Sequence, residues 1–157
     1  MKEKKVIGWC EYVDLPDWGI KKLKAKIDTG AKSCSLHVED IKELEGDKIC
    51  FYVILGKNGH RKKIMAFPDK KGKVKSSTGV QTHRWYVQTR LRIGGVERMV
   101  KMNLVGREEM NFRMLIGRTA IQNDFLVDVA HQYLLKKKLF KKSQKKIMKQ
   151  NLKKERS

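Results

Sequence analysis

The chain has 157 residues, 40% of them hydrophobic, with 37 Lys and Arg against 17 Asp and Glu, a formal net charge of +20. That length suits one domain with a sizeable core and is short for two. The charge favours anionic partners such as RNA, acidic peptides or anionic membrane surfaces, and no stretch approaches the ~18 apolar residues of a membrane span. The first residues, M-K-E-K-K-V-I-G-W, lack an apolar leader, so a soluble cytoplasmic protein is expected. Cys10, Cys34 and Cys50 are widely spaced with no C-x-x-C, which predicts three reduced, buried thiols rather than a zinc ribbon or a disulfide framework.

Taken in chain order, the dominant hydrophobic period is two. Strands are predicted at Val6–Val13 and at Lys22–Ile27, where three lysines alternate with Leu23, Ala25 and Ile27. Apolar character returns at Leu36 and Val38. Further strands follow at Lys48–Leu55 and Lys62–Phe67, joined by a hairpin turn at Gly56-Lys57-Asn58-Gly59. The polar, glycine-punctuated stretch Pro68–Gly79 predicts a long projecting hairpin.

The clearest strand is Arg84–Ile93. Trp85, Val87, Thr89, Leu91 and Ile93 share one face, and Arg84, Gln88, Arg90 and Arg92 the other. Gly94-Gly95 is a two-residue hairpin signal leading into Val96–Leu104, whose inward set of Val96, Val100, Met102 and Leu104 is interrupted by Arg98. Short strands at Arg113–Ile116 and Phe125–Val129 flank one helical turn at Thr119–Asn123. The pattern is that of an all-β barrel or sandwich occupying residues 1–135. Residues 136–157 carry eleven basic residues and one acid, and predict a solvated arm, flexible or partly helical.

The stretch that carries chemistry is Ile27-Asp28-Thr29-Gly30, at the end of an apolar strand. A carboxylate that activates water for amide hydrolysis needs a second carboxylate ~3 Å away, because the two then share one proton and divide the roles of base and acid. A small hydroxyl residue can hydrogen-bond beneath such a pair, and a following glycine lets the backbone approach the carboxyl. About eighty residues later comes Met114-Leu115-Ile116-Gly117-Arg118.

With the glycine-bearing hairpin between them, these segments resemble the retropepsin-like aspartic peptidases. The likeness is to the bacterial branch labelled ATP-dependent zinc proteases. It rests on V-I-G-W, I-D-T-G-A-K-S, S-S-T-G-V-Q-T-H-R, and F-R-M-L-I-G-R-T-A-I followed by F-L-V-D, and it covers roughly residues 6–135. The resemblance implies a closed acid-protease barrel with one short helix, to which the composition adds the basic C-terminal tail. Asp28 would be the catalytic aspartate and Thr29 would make cross-subunit hydrogen bonds below it. Gly30 would line the cleft, Ala31 would follow in the active-site loop, and Gly117 and Arg118 would support that loop. Ser77, Thr78 and Gly79 would tip a flap. One such motif per chain implies a symmetric homodimer, acting on a peptide or protein substrate suited, by charge, to be acidic.

Two positions depart from the family pattern. Cys34 stands where Ser or Thr is usual and is expected to be a weaker donor in the turn. Lys32 stands where many viral relatives have an acid that pairs with the arginine, so support for Arg118 must come from other groups.

No cofactor or metal is expected. There is no H-E-x-x-H, His37, His60, His83 and His131 lack ligand spacing, and no phosphate-binding glycine loop is present. Cys34 is expected to pack rather than act as a nucleophile, since His37, three residues along a strand, points to the opposite face. The alternative reading is a non-catalytic basic β-barrel that binds an acidic partner or RNA. The tail has one aromatic, Phe140, so nucleic-acid binding there would be nonspecific and salt-sensitive.

Overall fold

The structure is a computed structural model. It describes residues 3–56, 58–75, 81–106, 111–136 and 147–153, with backbone alone at 70–75 and 81–83. Its strands are β1 (Lys5–Gly8), β2 (Cys10–Leu15), β3 (Ile20–Ile27), β4 (Cys34–Leu44), β5 (Lys48–Ile54) and β6 (Arg61–Ala66). After these come β7 (Lys70–Lys75), β8 (Gln81–Ile93), β9 (Val96–Val105), β10 (Met114–Ile116) and β11 (Phe125–Asp128), with the one-turn helix α1 (Arg118–Ile121) between the last two.

Six strands close on themselves in the order β10-β3-β2-β8-β9-β4, because β10 pairs in parallel with β3 and antiparallel with β4. β5 and β6 extend the sheet outward from β4, and β7 pairs with β8. The expected all-β closed barrel is therefore present.

Strand alternation fills the interior. Leu23, Ala25 and Ile27 of β3, Leu36 of β4, Val87 and Leu91 of β8, Met102 of β9, and Met114 and Ile116 of β10 are buried in one cluster. Each Leu, Ile, Val or Met side chain of this set contributes roughly 1.5–3 kcal/mol by leaving water. The expected faces of β8 hold: Val87, Thr89, Leu91 and Ile93 are buried while Gln88, Arg90 and Arg92 are exposed. Gly94 and Gly95 have φ of 56° and 79°, the left-handed pair that a tight hairpin turn requires. The 56–59 turn also joins its two strands, with Leu55 N–H donating to the His60 carbonyl at 2.8 Å. Arg98 interrupts the inward set of β9 because its guanidinium grips buried Asp124 with two hydrogen bonds of 2.9 Å.

Three expectations change. The single strand Val6–Val13 is two strands, since Trp9 changes partners: its N–H donates to the His131 carbonyl and its own carbonyl accepts from Ile27. β1 then pairs with β11 and β2 with β3. The apolar return at Leu36 and Val38 opens an eleven-residue strand, β4, which continues past a register shift between Glu39 and Lys42, with Asp40 at φ 52°. The helical turn begins at Arg118, one residue earlier than expected, capped by Gly117.

The predicted projecting hairpin has its arms in β7 and β8, paired from Lys70↔Tyr86 to Lys75↔Gln81. Ser77, Thr78 and Gly79 lie outside the described residues. Within the lysine-rich tail, residues 147–153 are helical with every side chain exposed. No helix among the described residues is long and apolar enough to cross a membrane.

One buried polar residue locks the C-terminal segment against the barrel. Glu11 is 1% exposed, and its carboxyl accepts hydrogen bonds from the backbone N–H groups of Gly8 at 2.7 Å, Leu134 at 3.0 Å and Leu135 at 3.3 Å. Replacing Glu11 with alanine strands all three donors. The expected loss is about 3 kcal/mol of unfolding free energy, read as a lower urea midpoint.

Candidate active site

Asp28 is the first residue beyond β3, where the barrel strand ends and the chain must turn. Its N–H donates to the Ile116 carbonyl at 2.9 Å, tying it to β10. Gly30 N–H donates to Asp28 Oδ1 at 3.1 Å, and Ala31 N–H donates to the Asp28 carbonyl at 3.2 Å. The turn therefore folds around the carboxyl and holds it in place. A Cβ on Gly30 would stand 3.3 Å from Asp28 Oδ1, so glycine keeps that side of the carboxyl open.

The segment after β10 grips the same turn through its carbonyls. Arg118 N–H donates to Ala31 at 2.9 Å and Thr119 N–H to Lys32 at 3.1 Å. Thr119 Oγ1 also donates to the Lys32 carbonyl at 2.9 Å, and Arg118 Nη1 donates to the Thr29 carbonyl at 2.9 Å. The support that an acidic residue at position 32 would have given Arg118 thus comes from a main-chain carbonyl. Gly117 is required by proximity: a Cβ there would lie 2.4 Å from the Ser33 carbonyl oxygen. Its φ of −84° is open to any residue.

Cys34 sits beneath this contact, fully buried. Desolvation pushes its thiol from 9.0 up to about 11, against the pull of a backbone hydrogen bond from Gly117. The sulfur accepts that backbone hydrogen bond in this turn. A thiol held protonated and buried is no nucleophile. His37 is also buried, on the alternate face of β4.

Asp28 opens into a cleft of about 510 Å³, lined by Lys26, Ile27, Thr29, Asn111, Phe112 and Leu115. Thr29 and Gly30 are exposed beside it, and Leu115 faces it from between the inward-facing Met114 and Ile116. Lys26, Asn111, Phe112 and Leu115 were not singled out from the sequence. For Lys26 the signal was there, because it is the outward member of the β3 alternation nearest Asp28. Ser77, Thr78 and Gly79 lie outside the described residues. Among the described residues no group of three or more His, Cys, Asp or Glu could hold a metal ion, so these side chains do not fit the zinc in the branch's label.

A family model described as RimB-like, retropepsin-like aspartic endopeptidase RimB, matches residues 6–138. The chain belongs to the RimB-like family. It is 31% identical over 138 residues to a probable alpha-L-glutamate ligase of Shewanella pealeana, a match covering 85% of this chain and 30% of that protein. A second probable alpha-L-glutamate ligase, from Desulfotalea psychrophila, is 30% identical over 138 residues, again 30% of its length. The chain thus spans under a third of these relatives. Among solved structures, a Legionella pneumophila protein of unknown function superposes with a TM-score of 0.70 at 31% identity, covering 85% of this chain and 99% of that one.

The Cys34 environment predicts a pH dependence with a definite sign. The unfolded chain releases this proton near its ordinary value of 9.0 and the folded chain only near about 11. The stabilisation is therefore complete below about pH 9 and is lost as pH rises to about 11, by about 2–3 kcal/mol in all. Urea midpoints measured under reducing conditions across this range are expected to fall more steeply for the wild type than for Cys34→Ala.

Proposed function

We propose that this RimB-like chain is an aspartic endopeptidase that acts as a homodimer, with Asp28 of each copy meeting on a two-fold axis. The observation that carries the reading is the seating of Asp28: one carboxylate at a strand end, held by Gly30 N–H and open to a cleft, on a turn gripped by residues 117–119. One such carboxylate per chain calls for a second chain, because the chemistry needs a pair. A water held between the two carboxyls would lose a proton to one of them as its oxygen attacks the scissile carbonyl carbon. The other carboxyl would give its proton to the carbonyl oxygen. Collapse of the tetrahedral intermediate, with a proton returned to the amide nitrogen, would release the two peptides. The β7–β8 hairpin would close over the bound chain and exclude bulk water.

The substrate class we infer is a glutamate-bearing peptide. Its support is the name of the relatives, probable alpha-L-glutamate ligases, together with the net charge of +20 and a lysine in the cleft. A peptidase that matches one part of such proteins suits the removal of residues that a ligase adds.

Asp28→Asn is expected to reduce cleavage of a peptide ending in several glutamates by about a thousandfold or more, with unchanged circular dichroism and elution volume. Pepstatin-type compounds should inhibit the wild type and chelators should not. Retained activity in the Asn variant would sink the mechanism. A folded wild type that binds acidic peptides and cleaves none would favour the binding-module alternative.

A further inference from the structure

We propose that Lys26 and Lys24 form a two-rung cationic ladder that selects acidic side chains at alternate positions of an extended substrate. The inference rests on the peptide-binding reading of the Asp28 cleft and adds the residues that set its specificity.

Both lysines project from the outer face of β3, alternating with buried Leu23, Ala25 and Ile27. Lys26 lines the Asp28 cleft and is the one cation among the described residues that do so. Lys24 lies one alternation further from Asp28, and its Nζ stands 5.2 Å from the ring centroid of Phe112, itself a wall of the cleft. Trp9 packs against the ring in a T-shaped contact, with centroids 5.8 Å apart. A π face attracts a cation while leaving its remaining N–H donors open to solvent or to a ligand. Neither lysine makes an ion pair with any described carboxylate.

The spacing gives the ladder its selectivity. Alternate residues of a strand lie about 6.6–6.8 Å apart on one face, and an extended peptide repeats its own side chains at the same interval. Two ammonium groups on that repeat match carboxylates at positions i and i+2 of a bound chain. Glutamate has the reach for such contacts, and a run of glutamates presents the pattern in either register. Exposed pairs of this kind are individually weak, so the ladder discriminates by acting at two positions together.

Binding to the Asp28→Asn protein tests the ladder separately from hydrolysis, because that variant holds a peptide without needing to cut it. The probes are two fluorescein-labelled octapeptides, one with glutamate at alternate positions and one with glutamine in their place, followed by anisotropy at ~0.1 M salt. The glutamate peptide is expected to bind about tenfold more tightly. Adding Lys26→Met or Lys24→Met should each remove about threefold of that advantage, and both together nearly all of it. Adding Lys63→Met, on β6, should remove none. Equal binding of the two peptides, or an advantage that survives the double Lys variant, overturns the ladder. If the wild type cleaves neither peptide while the Lys-dependent advantage is present, the ladder stands and the peptidase reading falls.

Discussion

The contact on which the site depends is between two stretches of main chain. Residues 117–119 lie against residues 29–33 so closely that position 117 cannot carry a Cβ without striking the Ser33 carbonyl. Across that contact run hydrogen bonds from the amide N–H groups of Arg118 and Thr119 to the carbonyls of Ala31 and Lys32. Because the partners are backbone carbonyls, the grip tolerates changes in the side chains around it. Lys32 in place of an acid leaves it intact, and Arg118 finds the Thr29 carbonyl instead. Cys34 in place of a hydroxyl residue is accommodated as a buried acceptor under Gly117.

The barrel delivers these two stretches to one place. β10 is a three-residue strand, yet it pairs on both sides, with β3 and with β4. The end of β3 carries Asp28, the start of β4 carries Cys34, and the end of β10 carries Gly117, so closure of the barrel brings all three together. Inward residues of the three strands form the core, while outward residues at the same level, Lys26 and Leu115, line the cleft. The alternation that buries Ala25 on the core face turns Lys26 outward to line the cleft, and Ile27, at the strand end, borders both.

How much of this was legible in the sequence followed how local the cause was. Strand β8 and the Gly94-Gly95 turn were readable because period-two alternation and a two-glycine turn are short-range signals. Asp28, Gly30, Gly117 and Arg118 were readable through their combination of motifs, and the structure brings them within hydrogen-bonding reach of one turn. The break at Trp9 was not, because a strand that changes partners leaves no mark in its own hydrophobic pattern. Nor was the length of β4, whose alternation is interrupted by Glu39 and Asp40 at the register shift. Glu11 was equally silent: its role depends on Leu134 and Leu135, more than a hundred residues away. The carbonyl acceptors of Arg118 and Thr119 could not be read at all, since every residue has one.

On the peptidase reading, the working centre needs one Asp28 from each of two chains. Mixing wild type with increasing proportions of the Asp28→Asn chain, at constant total concentration and after subunit exchange, tests it directly. If both carboxyls are required, activity falls as the square of the wild-type fraction, because only dimers with two wild-type chains cleave. Activity that falls in simple proportion to the wild-type fraction would mean that each chain works alone, and would rule out a shared pair of carboxyls.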